Sequence, residues 1–137
     1  MYFDIVRGRT REQVHALLDS AQAALESAWE GLPERDRYQV VTEHSPEEMI
    51  IQDHGLGIPR TENVVLLRIV GGRGSRTPEE KGKLFQQLVE NLERDCGVAP
   101  SDVVAAIVDI EGEDFTIGYG KQQFLNGDLP VVDRYMR

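Results

Sequence analysis

Two arginines in a glycine-rich loop are the residues whose type and spacing best suit chemistry. Arg73 and Arg76 lie three positions apart, among Gly71, Gly72 and Gly74, just before a predicted helix. The glycines make the loop pliable, and the start of a helix favours an anion because its free N–H groups and its dipole are positive there. The pattern predicts an anion site. The alternative is a solvated basic loop or an intersubunit salt bridge.

The first residue supplies a second group that can carry a proton. A primary α-amine such as that of Met1 titrates between about 7.7 and 8.0, so it suits acid–base or Schiff-base chemistry near neutral pH. Its use depends on where the first strand places it, since an amine at a remote strand end is inert. Met1 is therefore a candidate catalytic group with a plain structural alternative.

The charge of the chain narrows the classes of partner. Its 137 residues carry a formal net charge of −9, which argues against nucleic-acid and anionic-membrane binding, because both reward a basic surface. No stretch approaches the roughly 20 apolar residues that span a bilayer, and no secretory leader is visible. The single Cys96 forms no internal disulfide, as in a reducing compartment. We expect a cytoplasmic protein.

The histidines and the cysteine carry weaker signals. His44 and His54 lie ten residues apart in a loop, which is not a ligand spacing typical of zinc, so no metal site is predicted. Cys96 has no paired histidine that would make it a nucleophile, and it is interpreted as a small buried residue.

Apolar spacing divides the chain into alternating strands and helices. Strands are predicted at Tyr2–Val6, Tyr38–Thr42, Asn63–Val70 and Val103–Ile110, with a small edge strand around Met49–Ile51 and local pairing at Phe115–Ile117. Helices are predicted from Thr10 to Trp29 and from Thr77 to Gly97, and each opens with a capping box, which pairs Thr10 with Gln13 and Thr77 with Glu80.

The two halves of the chain repeat each other. Gly8-Arg9-Thr10 matches Ser75-Arg76-Thr77, and Asp36 after the first helix matches Asp102 after the second. Two tandem β-α-β units predict an α/β fold (α+β, two-layer) in which a four-stranded sheet carries two helices on one face. The other face would be bare, so we expect an oligomer. The chain is interpreted as one domain, 1–137, with repeats at about 1–62 and 63–120 and a C-terminal tail at 121–137.

Six segments in this order resemble the tautomerase superfamily, and within it malonate semialdehyde decarboxylase and its neighbour cis-3-chloroacrylic acid dehalogenase. They are Gly8-Arg9-Thr10, Asp36-Arg37-Tyr38-Gln39, His44-Ser45-Pro46-Glu47-Glu48-Met49, Gly55-Leu56-Gly57, Leu92-Glu93-Arg94-Asp95-Cys96-Gly97 and Phe124-Leu125-Asn126-Gly127-Asp128-Leu129. The resemblance implies a homotrimer with a pocket near each N-terminus, a small carboxylate substrate, no metal and no organic cofactor.

The resemblance also implies roles for individual residues. Asp36 falls on the aspartate that orients water, Arg76 on an arginine at the start of the second helix, and Arg73 is the second candidate clamp for the substrate carboxylate. The structural alternative for Asp36 is a turn or cap residue like Asp102. Phe115 falls on the decarboxylase's tryptophan, but we interpret Tyr38 and Phe115 as core or interface aromatics.

The start of the chain departs from the family, whose working group is an N-terminal proline. Phe3-Asp4 aligns with the family's first strand, so Met1 falls two residues after that proline, about 6–7 Å from the position of the reactive nitrogen. Three readings follow. The activity on a small 3-oxo or unsaturated acid is weak or lost, the chain is a non-enzymatic carboxylate-binding or scaffold protein, or the true start lies upstream of Met1.

Overall fold

A computed structural model describes residues 1–129 of the chain. Its strands are β1 (Tyr2–Val6), β2 (Val40–His44), β3 (Val65–Gly72) and β4 (Val103–Ile110), and its helices are α1 (Arg11–Ala28), α2 (Pro78–Cys96) and the short α3 (Gln123–Asn126). Three 3-10 turns lie at Pro46–Glu48, Pro100–Asp102 and Gly112–Asp114.

The four strands form one mixed sheet in the order β2-β1-β3-β4. β1 pairs in parallel with β2, and β3 pairs in parallel with β4, as expected when a helix connects each pair. The two units join through the antiparallel pair of β1 and β3, in which Phe3 lies opposite Leu67. This confirms the predicted fold of tandem β-α-β repeats.

Both long helices cover the same face of the sheet. Phe3 and Ile5 of β1 and Leu67 of β3 are at most 1% exposed and form one core with the apolar stripes of α1 and α2. The stripe residues buried in that core include Leu17, Ala21, Leu25, Leu84, Leu88 and Leu92. The helical spacing of the sequence therefore predicted the buried side of each helix correctly.

The opposite face of the sheet is uncovered in the single chain. Tyr2 and Val40 lie side by side on it, as do Val70 and Val108, and these four side chains are between 39% and 53% exposed. Neighbouring strand residues such as Phe3 and Leu67 point into the core instead, because side chains alternate across a strand. An uncovered sheet face with exposed apolar side chains, here interrupted by Arg68 opposite Tyr2, is typical of a surface that another molecule covers.

The two helices begin as the sequence predicts. The Thr10 hydroxyl accepts from the N–H of Gln13 at 3.2 Å, and the Gln13 side chain accepts from the N–H of Thr10 at 2.9 Å. Thr77 and Glu80 make the same reciprocal pair at 3.2 and 2.9 Å. α2 ends at Gly97, whose φ of 67° is the left-handed conformation that favours glycine.

Three of the predicted short elements differ from the structure. No strand forms at Met49–Ile51; β2 ends at His44 and is followed by a 3-10 turn at Pro46–Glu48, which Pro46 favours because it fixes φ and lacks an N–H for a ladder. Phe115–Ile117 does not pair as a strand, and the N–H of Ile117 donates to the Gln123 side chain at 3.1 Å. Part of the predicted tail forms α3, and residues 130–137 of that tail lie outside the described residues.

Candidate active site

A cavity of about 470 Å³ opens at the end of the sheet where β1 begins and where β3 and β4 end. The C-terminal end of α1 and the segment that follows it form a second wall, and the segment after β4 forms a third. Met1 and Asp36, which the sequence predicts as candidate catalytic residues, both line this cavity. The β-α-β topology thus brings together two groups that are far apart in the sequence.

The α-amine of Met1 is held inside the molecule rather than at a free strand end. Met1 is 8% exposed, and its amine donates to the backbone carbonyl oxygen of Tyr38 at 2.5 Å. The Met1 carbonyl in turn accepts from the N–H of Val40 at 3.1 Å. Burial lowers the pKa of the amine, and the Asp36 carboxylate offsets part of that shift. The neutral amine is therefore favoured more than in an exposed N-terminus.

The Asp36 carboxyl is shifted in the opposite direction. Burial raises its pKa, while the Met1 amine and the Arg76 guanidinium, which are positive, lower it in part. Its backbone is fixed, since its N–H donates to Pro33 at 3.2 Å and its carbonyl accepts from the Gln22 side chain at 3.2 Å. A group whose pKa is moved towards neutral pH is better matched to general acid or base work than the same group at its ordinary value.

The turn that carries Asp36 has an unusual backbone. Arg35 has a φ of 61°, in the left-handed region that a residue with a side chain seldom adopts. Its carbonyl accepts from the N–H of Arg37 at 2.9 Å, and the Arg37 side chain pairs with Asp19 of α1 at 2.7 Å. These contacts tie the turn to α1, so the position of Asp36 depends on the helix.

An aromatic group forms the outer wall of the cavity. The rings of Tyr38 and Phe115 meet edge to face at 6.2 Å, and Phe115 and Phe124 meet at 5.6 Å. All three residues line the cavity. Our interpretation of Tyr38 and Phe115 as core or interface aromatics therefore missed their place at the cavity, and no periodic pattern in the sequence marks it.

Arg76 lies beside the cavity but is not among the residues that line it. Its side chain is 3% exposed, its guanidinium sits 4.9 Å from the centre of the Trp29 ring, and one nitrogen lies 3.4 Å from a Glu80 oxygen. Trp29 itself lines the cavity. Sequence reasoning missed Trp29, which it treated only as the end of α1.

Arg73 is placed differently from Arg76. Its side chain is 63% exposed, and its Nε lies 2.5 Å from a carboxylate oxygen of Glu111, a residue that lines the cavity. The loop between β3 and α2 therefore separates the two arginines that the sequence grouped together. Arg76 is buried against Trp29, and Arg73 is paired with Glu111 in solvent.

Asp102, the repeat counterpart of Asp36, has a structural role. It is 1% exposed, and its two carboxylate oxygens accept from the N–H and the hydroxyl of Thr61 at 2.8 and 2.5 Å. It thereby fixes the chain ahead of β3. The match between the two aspartates in the sequence does not extend to their surroundings, since Asp36 lines a cavity.

Two other candidates within residues 1–129, a histidine and the cysteine, lie outside the lining of this cavity. His44 pairs with Asp4 at 2.7 Å within the sheet, away from the cavity lining. Burial raises the pKa of the half-buried Cys96 thiol, which opposes the thiolate that a nucleophile requires. Within residues 1–129, no three acidic, histidine or cysteine side chains are placed to hold a metal ion. None of the helices described has the length and apolar character to cross a membrane.

The two-layer fold of tandem repeats, with a cavity at the start of β1 that holds an amine and a carboxyl, is that of a protein of the tautomerase type. A family model described as "Tautomerase enzyme" matches residues 36–118. "Probable tautomerase YrdN" of Bacillus subtilis (strain 168) is 41% identical over 127 residues, which are 93% of this chain and 96% of that protein. The chain therefore belongs to the tautomerase family.

Solved structures place the chain within that family. A malonate semialdehyde decarboxylase, known in wild-type, mutant and inactivated forms, is 43% identical to this chain, with a TM-score of 0.87. The match spans 93% of this chain and 97% of the decarboxylase chain. A second malonate semialdehyde decarboxylase, FG41, inhibited by 3-bromopropiolate, is 36% identical, also with a TM-score of 0.87. That match spans 94% of this chain and 96% of the FG41 chain. The chain thus resembles malonate semialdehyde decarboxylase. A symmetric trimer of fused 4-OT, at 23% identity and a TM-score of 0.71, covers 88% of this chain and 92% of its own and shares the fold.

The two aspartates differ in what their loss should cost. Asp102→Ala leaves two Thr61 donors without a partner and should lower the free energy of unfolding by about 1–3 kcal/mol. Asp36→Ala should leave it unchanged or raise it at neutral pH. The raised pKa of Asp36 means that the folded state gains stability at low pH and loses it as the pH rises through that pKa.

Urea unfolding of both variants at neutral pH measures this difference. An Asp36→Ala variant as unstable as Asp102→Ala would contradict the assignment of Asp36 to the site and support a role as a turn residue.

Proposed function

We propose that this chain is an enzyme of the malonate semialdehyde decarboxylase type. Its substrate is a small 3-oxo or unsaturated carboxylic acid, and its reaction is a decarboxylation, a hydration or a keto–enol tautomerisation. The observation that carries the proposal is the shared burial of the Met1 amine and the Asp36 carboxyl in one cavity, where their pKa values shift towards each other. The decarboxylase and hydratase activities named for the 43% identical relative support the same class of substrate.

Each group has a proposed role in the reaction. Asp36 orients a water molecule, and the Met1 ammonium polarises the 3-oxo group or protonates carbon. In a decarboxylation the bond between the carboxylate carbon and its neighbour breaks, carbon dioxide leaves, and the electron pair forms an enol or enolate that takes up a proton. Because burial lowers the pKa of the amine, its ammonium gives up a proton more readily than an exposed α-ammonium.

The two arginines are proposed to bind the substrate carboxylate. The buried Arg76 contributes its charge at the wall of the cavity, next to Trp29. Arg73 contributes a guanidinium fork once its pairing with Glu111 is exchanged for the substrate. Exposed pairs of this kind contribute little to stability, so that exchange costs little.

One observation favours a second candidate function. The Met1 amine donates to the Tyr38 carbonyl at 2.5 Å, which holds it against the backbone and restrains the direction of its remaining N–H groups. A protein in which that restraint keeps the amine from the substrate would bind a carboxylate without converting it. The alternative to the enzyme is therefore a carboxylate-binding or scaffold protein on the same fold.

An NMR time course with malonate semialdehyde and with an enol-pyruvate substrate tests the enzyme. We expect turnover by the protein that begins at Met1 and a loss of about 100-fold or more in kcat/KM for Arg76→Ala, because an aligned charge at the site is removed. A version extended to place a proline two residues before Met1 serves as the comparison.

The two forms separate the candidates. Turnover by the extended form alone would show an intact cavity that needs the family's proline, and would refute the role of the Met1 amine. No turnover by either form, with small carboxylates still bound, would refute the enzyme and support the binding protein.

The uncovered sheet face supports a proposed homotrimer. Tyr2, Val40, Val70 and Val108 offer an apolar surface on the side opposite the helices, and related tautomerase structures are trimers. In such an assembly the three sheets would pack against one another. The cavity would lie near that contact, because Tyr2 and Val70 also line it.

Val108→Glu should dissociate the trimer, because it places a charge among the exposed apolar side chains of the sheet face, on its edge strand β4. Size-exclusion chromatography with light scattering measures the mass. Phe85→Glu is the matched control, since Phe85 lies on α2 in the helical layer and is 37% exposed. A Val108→Glu protein with the mass of the parent, or a parent that is monomeric, would contradict the assembly.

Other properties remain predictions. We propose that the protein acts in the cytoplasm as one domain, 1–137, without a metal or an organic cofactor. The opposite charges needed at the site come from its own amine, carboxyl and guanidinium groups.

A further inference from the structure

Trp29, the single tryptophan of the chain, is clamped between the two helices. It follows α1 directly and is 6% exposed. Its indole N–H donates to the backbone carbonyl of Glu80 in the first turn of α2 at 3.0 Å. A buried indole whose one donor is satisfied has little freedom to rotate. The orientation of the ring is therefore set by both repeats together.

The ring and Glu80 hold Arg76 from two sides. The Arg76 guanidinium lies over the Trp29 ring at 4.9 Å, within the range of a cation–π interaction. One of its nitrogens lies 3.4 Å from one Glu80 oxygen, and the other Glu80 oxygen accepts from the N–H of Thr77 at 2.9 Å. The capping box of α2 thus fixes the Glu80 carboxylate, and Trp29 supplies the flat surface against which the guanidinium rests.

The stack lies at the wall of the cavity. Trp29 and Ser75 line the cavity, and Arg76 is adjacent to both. The charge of Arg76 acts on the Asp36 carboxyl, whose pKa it lowers. A carboxylate in the cavity would feel the same charge, and more strongly than in water because the site is buried. Its strength there depends on where the guanidinium is held.

We propose that Trp29 is a positioning residue, which holds the Arg76 guanidinium at the cavity wall so that its charge binds the carboxylate of the substrate. The inference rests on the proposed function for the identity of the substrate, but not on turnover. Without the Trp29 ring the Arg76 side chain is still present and still charged, but its guanidinium is no longer held in one position. Carboxylate affinity should then fall although Arg76 is still present.

Calorimetric titration with malonate, an unreactive dicarboxylate with the same number of carbon atoms as malonate semialdehyde, tests the proposal. We expect malonate to bind the parent protein and to bind Trp29→Leu about tenfold more weakly or worse, because the cation–π contact is lost. Trp29→Phe keeps an aromatic face but loses the N–H, so its affinity should lie between the two. Phe85→Leu, which removes an aromatic ring from α2 outside the cavity lining, should bind malonate like the parent.

The double variant separates positioning from a general structural role. If Trp29 acts through Arg76, then Trp29→Leu should change malonate affinity little in an Arg76→Ala background. A ring that merely shapes the cavity would weaken binding by the same factor in both backgrounds, and that result would overturn the proposal. Thermal unfolding monitored by circular dichroism shows whether each variant is folded. If Trp29→Leu does not fold, the comparison of Trp29→Phe with the parent decides the question.

The remaining outcomes are also decisive. No malonate binding by the parent, or equal binding by the parent and the folded Trp29 variants, would overturn the proposal. Malonate binding that depends on Trp29 in a protein without turnover would support the proposal and refute the enzyme. A failure of the proposed role of Trp29 is therefore distinguishable from a failure of the proposed enzymatic function.

Discussion

The place of β1 in the sheet decides where the candidate site lies. β1 is paired on both sides, in parallel with β2 and antiparallel to β3, and its inward side chains Phe3 and Ile5 are buried in the core. A strand held on both edges and on one face cannot shift its register without moving every side chain to the other face. Because Met1 directly precedes β1, its amine is delivered to one point in the molecule. Asp36 lies on the segment that follows α1. Because the Thr10 cap sets where α1 begins, the length of the helix sets where that segment meets the cavity.

Burial opposes both charges at that point, and their mutual attraction offsets only part of the cost. The amine is pushed towards its neutral form and the carboxyl towards its protonated form. The positive charge of Arg76 acts on the carboxyl in the other direction, and Trp29 and Glu80 hold that charge in place. The charged groups that interact at the cavity, namely the Met1 amine, the Asp36 carboxyl and the Arg76 guanidinium, thus come from both repeats. Neither repeat could supply them alone.

Local patterns in the sequence predicted the frame of the molecule well. Thr10 and Thr77 with their glutamine and glutamate partners marked the helix starts, and the repeat predicted the order of elements, because these features depend on neighbours within a few residues. Asp36 was a candidate from the family resemblance and Met1 from its titratable α-amine, and the two residues line one cavity. The same resemblance placed Met1 about 6–7 Å from the reactive position, and it could not show that the amine is buried against Tyr38.

The rest depended on contacts between distant parts of the chain. Arg73 and Arg76 look equivalent in the sequence, but one pairs with Glu111 after β4 and the other stacks on Trp29 after α1. Asp36 and Asp102 match in the repeat, but only Asp102 has the donors of Thr61 beside it. Tyr38, Phe115 and Phe124 form a wall only once three separate segments meet. A single sequence carries no periodic signal for such pairs.

The most direct test of this account is the pKa of the Met1 α-amine, measured by NMR titration of the labelled group in the parent and in Asp36→Asn. Burial predicts a pKa below the usual range of an α-amine in the parent. It predicts a still lower pKa in Asp36→Asn, because the carboxylate that raises it is gone. An amine that titrates in its usual range, or that does not respond to Asp36→Asn, would contradict the claim that the two groups form one buried acid–base pair.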